Sequence, residues 1–200
     1  PILEESGLII PVGKWIIQNA FSMCTECRKY YPEFRVSINL SYVQILKSPL
    51  MMELKQIIDH SGISCSGIIV ELTESGYLEG TPAVRSAWND MKQLRIQIAL
   101  DDFGTGYSNL MNISNLEPDI VKLDRGFTLK ALSRSYEYQL MQYVIEMVHK
   151  LNQYVCVEGV ETKEDLEKIK ALGPDLIQGY YYSKPCSRDE FLKKFFDYSE

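Results

Sequence analysis

The sequence contains few residues of the types on which several common catalytic sites depend. Only two histidines occur among its 200 residues, His60 and His149, and both lie in or beside predicted helices rather than at a strand end. A Ser-His-Asp triad therefore has no support. The glycine-rich segment 103–107 does not end in Gly-Lys-Ser or Gly-Lys-Thr, so it is not a Walker phosphate loop.

The five cysteines are an odd number and follow no regular spacing. This usage predicts reduced thiols of an intracellular protein rather than a disulfide framework. Cys24 and Cys27 form a lone Cys-x-x-Cys pair on the apolar face of a predicted helix, and no second pair completes a zinc site. We therefore expect both thiols to pack in the core.

Long hydrophobic runs and a basic N-terminal leader are also missing. No apolar run approaches the roughly 18 residues that a membrane-spanning helix needs, and the first residues do not resemble a signal peptide. We therefore expect a cytoplasmic segment, with any membrane anchor outside it. Because there is no initiator methionine, we expect a piece of a longer protein.

Basic residues are outnumbered, with 21 Lys and Arg against 27 Asp and Glu and a net charge of −6. This balance argues against DNA or RNA polymers as partners. It leaves room for a small phosphate ligand, because bound metal ions can invert the local field. With 46% hydrophobic and 24% charged residues, the composition predicts one globular domain over residues 1–200.

Short β-branched segments alternate with segments of helical spacing along the whole chain. The predicted strands are 35–40, 67–72, 96–100, 119–123, 154–157 and 176–177. Such alternation predicts parallel strands joined by helical crossovers, in either an open doubly wound sheet or a closed (β/α)8 barrel. A barrel has eight strands, so this chain would lack about two at its N-terminal end.

Each predicted strand is apolar until its C-terminal edge, where polar residues follow. In chain order these residues are Asn39, Glu71, Asp101 with Asp102, Lys122 with Asp124, Glu158, and Gln178. Charges buried at strand ends are costly unless they are paired or metal-bound. In a barrel all of these ends converge at one face, whereas an open sheet binds at one switch point, so we favour the barrel.

The residue types at these strand ends predict the chemistry. Asn39, Glu71, Asp101, Asp102 and Glu158 are hard oxygen donors, which favour Mg²⁺ or Mn²⁺ over zinc. The adjacent carboxylates Asp101 and Asp102 repel each other unless a cation lies between them. One carboxylate can bridge two ions about 3.5–4 Å apart, an arrangement suited to phosphoester hydrolysis. Lys122 would add a cation near the water or phosphate. Three of these residues also have interpretations that involve no metal site or catalysis. Asn39 would then cap the following turn, Glu71 would be solvated, and Lys122 would pair with Asp124.

Several segments carry a resemblance to a known family. They are 4–9 (EESGLI), 36–41 (VSINLS), 71–75 (ELTES), 101–108 (DDFGTGYS), 122–125 (KLDR), 158–162 (EGVET), 178–180 (QGY) and 183–185 (SKP). Through these segments the sequence resembles the EAL-domain family of cyclic di-GMP phosphodiesterases over nearly its whole length. DDFGTGYS and EGVET in this order are highly specific. The resemblance implies a TIM-like (β/α)8 barrel of EAL type and hydrolysis of cyclic di-GMP to linear pGpG.

The resemblance also implies a role for each site residue. Asn39, Glu71 and Asp101 would bind one metal ion, and Asp101, Asp102 and Glu158 would serve a second ion and its water. Lys122 would position that water, and Glu158 would act as general base with help from Glu161. The nucleotide contacts would come from Asp124, Gln178 and Pro185, while Glu74 would anchor the 104–108 loop. A homodimer and an upstream sensory or GGDEF-type domain are the implied partners.

Two departures from the family pattern qualify this expectation. The Glu-Ala-Leu motif itself is absent, because it would lie before the first residue, and Gly126 stands where the family usually has serine. The missing motif leaves a second reading open, in which the domain is inactive and senses cyclic di-GMP or a protein partner. A third hypothesis is an enolase-like barrel in which Lys122 is the base. The loop and strand motifs do not favour it, because they match the EAL-domain family instead.

Overall fold

The computed structural model describes residues 2–73, 81–105 and 117–196, and these divide into two units. Within the described ranges, the first unit takes residues from 1–72, 76–98 and 186–200. The second takes residues from 73–75 and 99–185.

All six predicted strands are present. They are β1 Val36–Asn39, β2 Ile68–Thr73, β3 Gln97–Phe103, β4 Ile120–Leu123, β5 Tyr154–Val157 and β6 Leu176–Ile177. The largest boundary difference is in β3, which was predicted to end at Leu100 and instead continues to Phe103. The strand therefore contains Asp101 and Asp102, so these carboxylates lie within the sheet rather than in the loop that follows it.

Helices alternate with these strands through the described ranges. They are α1 Ile2–Glu5, α2 Ile9–Cys27, α3 Tyr42–Lys47, α4 Leu50–Ser61, α5 Pro82–Gln93, α6 Arg125–Ser133, α7 Ser135–Lys150, α8 Lys163–Lys170 and α9 Arg188–Phe196. Within these ranges, no helix combines the length and hydrophobicity that crossing a bilayer requires.

The strands pair in parallel, as the alternation predicted. In the first unit β1 pairs with β2, and in the second β3, β4, β5 and β6 pair in chain order. The four residues of β4 are all buried, as are the first five of β2. Buried parallel strands are mostly apolar, so Glu71 in β2 and Lys122 in β4 are the exceptions, each a charged side chain within a buried segment.

The two cysteines of the Cys-x-x-Cys pair lie in the core of the first unit, on α2. Cys24 and Cys27 are both fully buried, which confirms the predicted core packing. Burial raises the pKa of both thiols, and that of Cys27 reaches about 11. At neutral pH such thiols are protonated and unreactive, so they behave as small apolar side chains.

Candidate functional site

A β-bulge brings two consecutive aspartates to the end of β3 in the second unit. The register pairs on either side of it are Leu100↔Val121 and Phe103↔Leu123. Asp101 and Asp102 together therefore lie opposite the single residue Lys122. Asp102 has a φ of 61°, in the left-handed region where aspartate is tolerated better than most side chains. Bulges of this kind re-aim side chains at the rims of sheets.

Lys122 lies between two carboxylates of the second unit. Its Nζ is 3.0 Å from Asp101 Oδ1 and 2.7 Å from Glu158 Oε1. The lysine side chain is 5% exposed, and those of Asp101 and Glu158 are 12% and 17% exposed. One buried ammonium thus serves two buried or half-buried carboxylates, and these three groups together carry a net charge of −1. Each carboxylate depends on this ammonium because burial without a partner is costly.

One carboxylate oxygen of this cluster has an ion-pair partner but no well-aligned hydrogen bond from the described residues. Asp101 Oδ1 is buried, and among the described residues no hydrogen bond of good geometry reaches it, although Lys122 Nζ is within ion-pair distance. An oxygen of this kind suits a further cation, and the strand-end donors are the oxygen ligands that Mg²⁺ and Mn²⁺ prefer. Within the ranges that the structure describes, however, no three His, Cys, Asp or Glu side chains are arranged to hold a metal ion.

The first unit places Asn39 and Glu71 side by side. They are register partners, Asn39 at the end of β1 and Glu71 in the C-terminal half of β2. In a parallel pair such partners lie on the same face, with strands about 4.8 Å apart. Glu71 is buried, and its Oε1 accepts a short hydrogen bond from Ser37 Oγ on the same face. Asn39 is exposed. The solvated alternative for Glu71 is therefore wrong, because its carboxylate is held inside the fold.

The structure brings one further carboxylate to the end of β1 that the sequence analysis did not single out. Glu4 Oε1 accepts a hydrogen bond of 2.6 Å from Ser41 Oγ, two residues after Asn39. This bond lowers the pKa of Glu4. Because Glu4 lies in α1 and 37 residues away from Ser41, no local pattern in the sequence could have linked them.

Asp124 and Glu161 have local partners in the second unit. Asp124 caps α6, with its Oδ1 accepting hydrogen bonds from the backbone N–H groups of Gly126 at 2.7 Å and Phe127 at 3.3 Å. Glu161 Oε1 accepts two hydrogen bonds from Arg125, from Nη2 at 2.7 Å and Nε at 3.2 Å. Arg125 lies in the segment 122–125 that carries the family resemblance, but it was not among the predicted site residues.

The remaining predicted site residues differ in what the structure says of them. Gln178 follows β6 and is exposed. Its backbone N–H donates a hydrogen bond to Val157 O at 2.9 Å. Pro185 is exposed near the end of the second unit. Glu74 lies outside the described residues, as does the loop that it was predicted to anchor from residue 106 onward.

Comparisons with known proteins place this geometry in context. A family model described as the EAL domain matches residues 1–185. Cyclic di-GMP phosphodiesterase PdeR of Escherichia coli K12 is 32% identical over 182 residues, which are 91% of this chain and 28% of PdeR. The chain spans only about a quarter of the length of PdeR and of the E. coli phosphodiesterase PdeF.

Solved structures give the same result for the fold. The EAL enzyme Bd1971, with cAMP and cyclic di-GMP bound, has a TM-score of 0.91 and 30% identity, covering 96% of this chain and 54% of that one. Klebsiella pneumoniae BlrP1 in its pH 9.0 manganese and cyclic di-GMP complex has a TM-score of 0.74 and 22% identity, covering 88% of this chain and 45% of that one. At that identity BlrP1 supports the fold alone. The predicted α/β fold of TIM-like type is confirmed.

Proposed function

The chain belongs to the EAL domain family, and from this premise we propose that it hydrolyses cyclic di-GMP to linear pGpG with bound Mg²⁺ or Mn²⁺. Relatives at 31% and 32% identity are named cyclic di-GMP phosphodiesterases. The observation that carries the proposal is the buried Lys122 held between Asp101 and Glu158. A buried ammonium held between one buried and one half-buried carboxylate has a use in phosphoester hydrolysis, where a positive charge stabilises the phosphate and a carboxylate accepts a proton.

The metal ions would be held by the oxygen donors at the strand ends. Asn39, Glu71 and Asp101 would hold one ion, and Asp101, Asp102 and Glu158 the other. The buried Asp101 Oδ1 that no described hydrogen bond reaches supports this assignment. When bound, such ions activate a water and screen the charge of the phosphate.

The chain's own side chains would bind and orient the reactants. Lys122 would keep its ammonium beside the phosphate and the attacking water, while Glu158 would accept the proton that the water loses. Gln178, Asp124 and Pro185 would contact the nucleotide, and Gln178 is exposed at the end of β6 as that role requires. Glu161, which lies outside the Lys122 cluster, would assist Glu158 in its role as general base. Glu74 would anchor the loop from 104 to 108.

The purified protein tests the proposal directly. Incubation with cyclic di-GMP and Mg²⁺ or Mn²⁺ should yield pGpG, measured by chromatography, and EDTA should abolish it. Asp101→Asn and Glu158→Gln should each lower turnover about 100-fold or more. Glu164→Gln, an exposed carboxylate on α8, is the matched control and should retain activity. Absence of pGpG with either metal would refute hydrolysis.

The second candidate is a domain that binds cyclic di-GMP without cleaving it. It is favoured by the finding that, in the ranges described, no three acidic, His or Cys side chains are arranged to hold a metal ion. Calorimetry distinguishes the two functions. Tight binding of cyclic di-GMP together with no pGpG would support the sensor, and turnover would exclude it.

The wider setting of the domain is part of the same proposal. We expect a cytoplasmic homodimer whose parent protein has an upstream sensory or GGDEF-type domain. The Bd1971 structure contains bound cyclic di-GMP, which supports the choice of ligand. Sedimentation of the purified protein with and without cyclic di-GMP tests the dimer.

A further inference from the structure

Two pairs of opposite charges join the end of β4 to the end of β5. The inner pair is Lys122 with Glu158, and the outer pair is Arg125 with Glu161. Each member of the outer pair lies three residues after its counterpart in the inner pair. Both pairs close at 2.7 Å between nitrogen and oxygen. The turn 159–160 connects the carboxylates of the two pairs.

The stem of Arg125 packs directly on this turn. Gly159 has a φ of +80°, and a Cβ at that position would lie 2.4 Å from Arg125 Cγ and 2.9 Å from its Cβ. Only glycine fits such an approach without a clash. Arg125 therefore covers the peptide that immediately follows Glu158, and its guanidinium reaches past it to Glu161.

The opposite side of the turn is held by backbone. Val160 is fully buried, its N–H donates to Gln178 O at 3.3 Å, and its carbonyl accepts from the N–H of Tyr181 at 3.0 Å. A Cβ on Gly179 would lie 2.0 Å from Val160 O. The turn is thus enclosed between the Arg125 stem and the backbone of 178–181.

We propose that Arg125 is a positioning residue that clamps the turn after β5, and thereby keeps the Glu158 carboxylate on Lys122. The inference rests on the proposed hydrolysis, because it assigns Arg125 a part in that reaction. Arg125 acts through Glu158 and need not touch the substrate. Glu161 contributes by holding the guanidinium in place, which raises the pKa of Arg125 through their hydrogen bonds.

Substitution of Arg125 separates positioning from stability. Arg125→Ala should lower kcat about 10- to 100-fold, since small displacements of a catalytic group have effects of this size. KM for cyclic di-GMP and the Tm should stay close to those of the unmodified protein. Arg125→Lys retains the stem and the charge, so it should recover part of kcat. Arg134→Ala removes another exposed Arg–Glu pair of this unit and should leave kcat unchanged.

The double variant tests whether Glu161 acts through Arg125. Under the proposal, Glu161→Ala and Arg125→Ala have similar effects on kcat, and combining them adds little. A much larger loss for Glu161→Ala than for Arg125→Ala would overturn the proposal, because Glu161 would then act directly. Wild-type kcat in Arg125→Ala, or a change confined to KM, would overturn it as well.

Amide hydrogen exchange provides a readout that does not need activity. Loss of the clamp should speed exchange at the Val160 amide by about tenfold or more, while amides in β4 stay protected. If the unmodified protein shows no turnover, hydrolysis fails, yet this measurement still tests the clamp. Unchanged exchange at Val160 in Arg125→Ala would overturn it.

Discussion

The inner and outer charge pairs at the ends of β4 and β5 have the same nitrogen–oxygen distance of 2.7 Å, but the inner pair is buried and the outer pair is exposed. The Lys122 side chain is 5% exposed, whereas that of Arg125 is 58% exposed. Water screens the outer pair, so its net contribution to folding is small. Lys122, Asp101 and Glu158 have lost most of their hydration and depend on one another. The inner pair therefore belongs to a buried cluster whose members stabilise one another, whereas the outer pair serves as a positional restraint.

The sharpest test of this difference is removal of the buried ammonium. Lys122→Met leaves Asp101 and Glu158 inside the fold without this partner, and we expect a loss of about 3–5 kcal/mol in the free energy of unfolding. Urea titration followed by circular dichroism measures it. Adding Glu158→Gln to this variant should recover part of the loss, because one uncompensated charge disappears. A loss within the error of the titration would mean that the cluster is solvated.

The next largest effect concerns the backbone that supports both pairs. Gly179→Ala puts a methyl group against the Val160 backbone, which cannot move aside like a side chain, and should destabilise by about 3 kcal/mol. Gly173→Ala is the control. Gly173 has a φ of +76° with open space around it, so backbone strain alone should cost about 1–2 kcal/mol. Equal losses in thermal or urea unfolding would contradict the close packing.

A smaller effect is expected one residue beyond Glu161. Thr162 and Asp165 form a reciprocal capping box at the start of α8, with hydrogen bonds of 3.1 and 3.0 Å. Thr162→Ala should lower the free energy of unfolding by about 1 kcal/mol, and Thr162→Ser should restore it. If the alanine variant is as stable as the parent, the cap contributes nothing to folding.

The smallest effect should come from the outer pair itself. Glu161→Gln retains an oxygen acceptor but removes the charge, and the free energy of unfolding should not change within the error of a urea titration. Measuring Glu161→Gln and Lys122→Met in the same buffer compares the contributions of the outer and inner pairs to the free energy of unfolding. Comparable losses in the two variants would show that exposure does not separate them.

Much of the site was predictable because a strand end is a local feature. The six strands, and the polar residues in or just after their C-terminal halves, follow from hydrophobic segments and the side chain that interrupts each one. The bulge at Asp101 and Asp102 was not predictable, since it depends on the register of β3 against β4. The pairing of Glu161 with Arg125 likewise joins residues 36 positions apart.

Local order in the chain was enough to establish the alternation of strands and helices, the oxygen-rich chemistry of the strand ends and the family. These properties come from short-range periodicity and from the identity of single residues. Which charge meets which was decided by the tertiary structure, because burial and strand register set the energy of an ion pair. Lys122 between Asp101 and Glu158, and Arg125 over Gly159, exist only once β3, β4 and β5 lie side by side.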